Sequence, residues 1–139
     1  MLRPTCMRLH LLVPLLLLAA CGSSTPGDEV DGERADNDLV VQLDLGDGTP
    51  PQRWTLTCAG SAQGNHPQAQ AACKHLSGLE EPFAPLPADV LCTQVYGGPQ
   101  TAQVTGVWGG QPVDLALSRT DGCRIGQWDG LVPLVPAAS

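Results

Sequence analysis

From Leu39 onward the chain alternates in character: Leu39, Val41, Leu43 and Leu45 fall on one phase, with Val40, Gln42 and Asp44 between them. A period of two places one phase on a buried sheet face, so this run predicts a strand, ended by Gly46-Asp47-Gly48. Trp54, Leu56 and Cys58 repeat the period and predict a second strand. The period then changes. Ala69, Ala72, Cys73 and Leu76 follow the i, i+3, i+4, i+7 rule of a helix with one apolar face, with Pro67 as its first position and Gly78 as its stop. Gln103 to Trp108 and Gln111 to Ser118 flank Gly109-Gly110, and Val113, Leu115 and Leu117 alternate after the pair, which predicts a hairpin. Leu131 to Val135 reads as a last short edge strand, and the stretch holding Pro82, Phe83 and Pro85 as either a second short helix or coil. Trp54 and Trp108 sit at alternating strand positions and are expected in the core. Strands outnumber helices, so the expected class is α+β: an antiparallel sheet covered on one side by helix.

The leading residues follow other rules. Arg3 and Arg8 precede the apolar stretch Leu11 to Ala20, too short to span a bilayer, so residues 1–20 read as an export signal. Its end, Leu18-Ala19-Ala20-Cys21-Gly22, resembles the bacterial lipoprotein signal, which implies that Cys21 is lipidated and becomes the new N-terminus, anchoring the protein to the cell membrane; the alternative is an ordinary signal peptide. Residues 22–38 hold six of the fourteen acids, one arginine and no aromatic residue, a composition that cannot bury enough surface to order itself; residues 21–38 therefore read as a tether. Residues 39–139 are 101 residues, enough for one small domain. The formal charge is −7, and removing the two arginines of residues 1–20 takes it to −9, which argues against a nucleic-acid partner.

Of six cysteines, four fall in the domain: Cys58, Cys73, Cys92 and Cys123, at separations of 15, 19 and 31. In an exported chain they suggest two disulfides, and three pairings are formally open. The sequential pairing would contribute about 3 to 4 kcal/mol per bridge in the chain-entropy model. A zinc site with His66 and His75 competes, but the spacing matches no common zinc pattern, and Cys73 and His75 would point to separated sides of a helix. His66, His75 and Tyr96 have no base or nucleophile arrangement around them, and no paired carboxylates or metal-ligand cluster stand out, so neither an enzyme nor a cofactor is expected.

Leu56-Thr57-Cys58, Gly64-Asn65-His66-Pro67, Ala71-Ala72-Cys73, Leu91-Cys92-Thr93-Gln94-Val95-Tyr96, Val104-Thr105-Gly106-Val107-Trp108 and Gly122-Cys123 together resemble the subtilisin inhibitor-like family, the Streptomyces-type secreted inhibitors of serine proteases. The resemblance covers about residues 39–124. It implies a five-stranded antiparallel sheet with two short helices, a homodimer through the sheet, and bridges Cys58–Cys73 and Cys92–Cys123. It also places the inhibitory bond between Gln94 and Val95, within a protease-binding loop of Leu91, Cys92, Thr93, Gln94, Val95 and Tyr96. Pro85 and Pro87 before this run and Gly97-Gly98-Pro99 after it frame a projecting loop, although a β-prone run after a cysteine also reads as a plain strand. Cys92, tied to Cys123 on the far side of the hairpin, would hold the loop from within.

Two departures from the family pattern bear on target and support. Gln94 stands where the family usually carries Lys, Arg or Met, and a neutral amide leaves the aspartate of a trypsin-type pocket unpaired, so subtilisin-like proteases are the expected partners. Asp121 stands where the family often has an asparagine that supports the loop, and a carboxylate accepts hydrogen bonds but does not donate them. The alternative to inhibition is a non-inhibitory cell-surface binding module on the same scaffold.

Overall fold

The computed structural model describes residues 35–138. The signal segment, Cys21 and the tether as far as residue 34 lie outside the described residues.

Among the described residues seven elements follow in chain order: β1 (Asp38–Asp44), β2 (Gln52–Ala59), β3 (Ser61–Gln63), α1 (Ala69–Ser77), β4 (Thr101–Trp108), β5 (Gln111–Leu117) and α2 (Gly122–Gly130). The strands form one antiparallel sheet in the order β3-β2-β1-β4-β5. Register follows the alternation. Val41 lies between Trp54 and Val104, and Leu39 between Leu56 and Gly106, so Leu39, Val41, Leu43, Leu56, Val104, Val113, Leu115 and Leu117 share one buried face. At Gly109 and Gly110 the φ angles are +56° and +74°, the double left-handed turn whose twist suits a two-residue hairpin.

The helices cover the buried face. α1 places Ala72, Cys73 and Leu76 inward, and Cys58–Cys73, with Cα atoms 5.5 Å apart, fastens it to β2. α1 starts at Ala69 rather than at Pro67, because Gln68 is non-helical and its N–H donates to His66 Nδ1 at 3.0 Å. Trp54 and Trp108 pack against the core while half-buried; Trp54 stands edge-on to His66 and Trp108 edge-on to Phe83.

The C-terminal part corrects two expectations. Leu131 to Val135 is not an edge strand. After α2 the chain continues in turns, with Leu131 N–H donating to Trp128 O at 3.0 Å and Leu134 N–H to Leu131 O at 2.7 Å, and it buries Leu131, Leu134 and Val135 against the sheet. An edge strand would alternate Leu131 and Val135 against Val132 and Leu134 and leave one set outside, whereas the turns put Leu131, Leu134 and Val135 all into the core. The second helix is α2, while the Pro82-Phe83 stretch is a turn closed by Ala84 N–H to Glu81 O at 3.2 Å.

Candidate functional site

Between α1 and β4 the chain crosses the surface without regular structure from residue 84 to residue 100, apart from a turn at residues 88–89. It carries most of the large apolar side chains left in solvent among the described residues: Val90, Leu91 at 96 % exposure, Val95 at 54 % and Tyr96 at 67 %. Three such residues within six positions, beside a well-buried core, form an exposed apolar patch of the kind that marks an interaction site. Thr93 and Gln94 are exposed beside them, and the Gln94 amide turns back toward Cys92 O at 3.4 Å.

The segment is exposed but held at both ends. On the amino side, Cys92 is bonded to Cys123 with Cα atoms 5.3 Å apart, and Gly122 N–H donates to Thr93 O at 2.9 Å. A Cβ on Gly122 would overlap Thr93 Oγ1, so the missing side chain lets the strand of the loop lie against the helix start. Cys123 sits in the first turn of α2 rather than on the hairpin itself, so the loop is tied to the helix that packs on the core. On the carboxyl side, Gly97 N–H donates to Arg119 O at 2.7 Å while Arg119 Nε–H donates to Gly97 O at 3.1 Å. A Cβ on Gly97 would come within 2.7 Å of Ile125 Cδ1, so α2 abuts this end as well. Between the anchors, no backbone group of Gln94, Val95 or Tyr96 bonds to another backbone group among the described residues. Donors and acceptors are therefore free to pair with an incoming strand.

Arg119 was not singled out from the sequence, and it is among the most buried charged groups described, at 6 % exposure. Its Nη1 pairs with Asp129 Oδ1 at 2.9 Å and its guanidinium lies 5.7 Å from the Trp128 ring centroid. The signal was present: the inward phase Val113, Leu115, Leu117 continues to position 119, and a cation on an apolar phase must find partners inside the fold.

Asp121 does another task than supporting the loop. It is the N-cap of α2, accepting from Arg124 N–H at 2.9 Å and pairing with Arg124 Nη1 at 2.6 Å. The backbone bond from Arg124, foremost, holds its carboxyl below the usual carboxylate range, against the opposing effect of partial desolvation. The donor toward the loop comes from Arg119 and from the Gly122 amide instead.

No zinc site is assembled from the sequence candidates. Cys58 and Cys73 are spent on each other, His66 is buried between Gln68 N–H and Leu134 O, and His75 Nε2 lies 2.7 Å from Gly130 O. With Nδ1 accepting from Gln68, Nε2 of His66 must carry the proton that Leu134 O receives. Cys92, Cys123 and Asp121 also cluster, but both sulfurs are bonded to each other.

The family model described as subtilisin inhibitor-like matches residues 39–119. The chain belongs to the subtilisin inhibitor-like family. This is a family of protease inhibitors and not of enzymes. Among its relatives, "Subtilisin inhibitor-like protein 4" of Streptomyces lavendulae is 42 % identical over 78 residues, 55 % of this chain and 66 % of that protein, so the match spans about two thirds of the relative's length. The "Probable subtilase-type protease inhibitor" of Streptomyces avermitilis is 37 % identical over 109 residues, 74 % of each chain. Among solved structures, Streptomyces caespitosus sermetstatin, in a complex with Bacillus licheniformis subtilisin, is 24 % identical with a TM-score of 0.43, covering 69 % of this chain and 96 % of its own. The five-stranded antiparallel sheet, the two helices and the sequential disulfide pairing are those the resemblance implied.

Proposed function

We propose that this protein inhibits subtilisin-like serine endopeptidases by presenting Gln94–Val95 as a reactive bond that is bound as substrate and released slowly. The observation that carries the reading is the exposed segment Leu91 to Tyr96, held at one end by Cys92–Cys123 and at the other by Gly97–Arg119. The names of its relatives supply the class of target. A protease cleft takes up a substrate as an added strand, and the unpaired backbone of residues 94–96 suits that pairing. Gln94 enters the primary specificity pocket and Val95 lies across the scissile bond, with Leu91, Thr93 and Tyr96 contacting the cleft on either side. Because the loop is ordered beforehand, little entropy is lost on binding, and interfaces of roughly 1,600 Å² of this type reach very tight affinities. Gln94 fits a roomy neutral pocket better than one that carries a carboxylate.

The same proposal assigns residues 1–20 to export, Cys21 to a lipid anchor, residues 21–38 to a tether and residues 39–139 to the inhibitory domain, which would hold the inhibitor at the cell surface. A homodimer through the uncovered sheet face, where Val40, Thr55, Thr105 and Val107 lie together, completes it. The deciding experiment is titration of subtilisin with purified residues 22–139. One domain should silence one protease, and degradation of the domain as an ordinary substrate overturns the reading. An acyl-glyceryl mass increment at Cys21 tests the anchor, and light scattering in solution tests the dimer.

A further inference from the structure

The two anchors of the loop differ in kind. The amino-side anchor is a covalent bridge, whereas the carboxyl-side anchor is a pair of hydrogen bonds between Gly97 and Arg119. The Arg119 carbonyl accepts one and its side chain donates the other, and that side chain is itself locked, 7 % exposed, paired with Asp129 and lying over Trp128. An arginine placed only to cover the core would not need its Nε directed at a loop carbonyl.

We propose that Arg119 is a positioning residue that keeps the carboxyl-side half of the loop in register after the Gln94–Val95 bond has been cut. The inference rests on the inhibitor reading above. When the protease serine has taken the Gln94 carbonyl as an ester, Val95 carries a free amine. Religation requires that amine nitrogen to attack the ester carbon: the C–N bond forms, the C–O bond to serine breaks, and the amine proton passes through the protease base to the departing serine oxygen. Nothing is oxidised or reduced. The rate depends on how closely the amine is held. With Gly97 clasped, only Val95 and Tyr96 are free, a reach of about 7 Å; when the clasp opens, the free stretch runs to Gln100, just before β4, a reach of roughly 20 Å, and removing the Arg119 side chain takes away one of the two bonds that keep it shut, leaving the Gly97 N–H to Arg119 O bond alone. The larger volume dilutes the amine at the ester and favours hydrolysis over religation. Lysine keeps the charge but not the rigid fork that serves Gly97 O and Asp129 together.

The test compares the purified protein with Arg119→Met and Arg119→Lys, each with its thermal midpoint measured. Arg119→Met should associate with subtilisin at a rate within about twofold of the parent, since interface changes act mainly on dissociation. Its inhibition should lapse about tenfold sooner or more, with the fraction of intact bond at equilibrium falling in step, and Arg119→Lys should recover part of both. Inhibition by folded Arg119→Met that lasts as long as the parent's overturns the proposal. Should that variant not fold, the parent decides: after cleavage at Gln94–Val95 the Arg119 Nε–H should stay as protected from hydrogen exchange as in the intact protein, and exchange as fast as that of the exposed Arg53 Nε–H overturns it. A parent consumed by subtilisin without delay is a distinct result, which sinks the inhibitor reading and this one with it.

Discussion

Replacing both Cys92 and Cys123 with alanine should damage inhibition far more than an equal loss of stability inflicted elsewhere. The control is built into the molecule. The Cys92–Cys123 bridge spans 31 positions and the Cys58–Cys73 bridge spans 15. In the chain-entropy model these contribute about 3.7 and about 3.0 kcal/mol, so either removal should lower the melting temperature by roughly 12 to 30 °C. The consequences for the loop differ. Cys58–Cys73 fastens α1 to β2, away from the exposed segment. Without Cys92–Cys123, the amino side of the loop keeps, among the described residues, the Gly122 N–H to Thr93 O bond as its one backbone hydrogen bond to α2, which contributes about 1 kcal/mol. Ordering Leu91 to Gln94 anew on each binding event then costs about 1 to 2 kcal/mol per residue, which lowers affinity by roughly a thousandfold or more. The assay is subtilisin titration at a temperature low enough that near-ultraviolet dichroism shows both variants folded. The Cys58/Cys73 variant should still titrate the protease, and the Cys92/Cys123 variant should be digested. Equal inhibition by the two refutes the argument that rigidity passes into the loop through Cys92.

Gln94→Lys should raise inhibition of trypsin by on the order of a hundredfold, measured as an inhibition constant, because the ammonium then pairs with the pocket aspartate. Leu134→Ala should destabilise the domain by about 2 to 5 kcal/mol in urea unfolding, since Leu134 is fully buried and its carbonyl meets His66. Asp121→Ala should weaken the domain in a pH-dependent way. The folded-state pKa of Asp121 lies below that of the unfolded chain, so its contribution is present above about pH 4 and fades as pH falls through the folded-state value. Thermal melts of parent and variant should therefore differ at pH 6 and converge in acid.

Much of this architecture could be read from alternation alone. Leu39 to Leu45 and Val113 to Leu117 each carry a strict period of two, and Gly109-Gly110 marks the turn, so β1 and the β4–β5 hairpin appear where the pattern puts them. β3 was invisible because Ser61, Ala62 and Gln63 have no apolar phase; it exists only because β2 turns back at Gly60 and offers an edge. α2 was hidden by Gly122, Gly126 and Gly130 and by having Trp128 as its only buried residue, which leaves no helical stripe to detect. Leu131 to Val135 carried the composition of a strand, and only the burial of Leu134 beside His66 shows why it wraps instead. At the site, the exposed run Leu91 to Tyr96 and its disulfide were reached through resemblance. Gly97 reads in the sequence as part of the frame after the loop, but its partnership with Arg119 appears only in three dimensions, because hydrogen bonds between positions 22 apart leave no local trace.

The most direct measurement is the identity of the bond cut when the inhibitor is held with subtilisin until intact and cleaved forms equilibrate. Mass analysis without disulfide reduction should show one hydration, and after reduction two fragments ending at Gln94 and beginning at Val95. A first cut elsewhere, or progressive fragmentation with full protease activity throughout, would contradict the account.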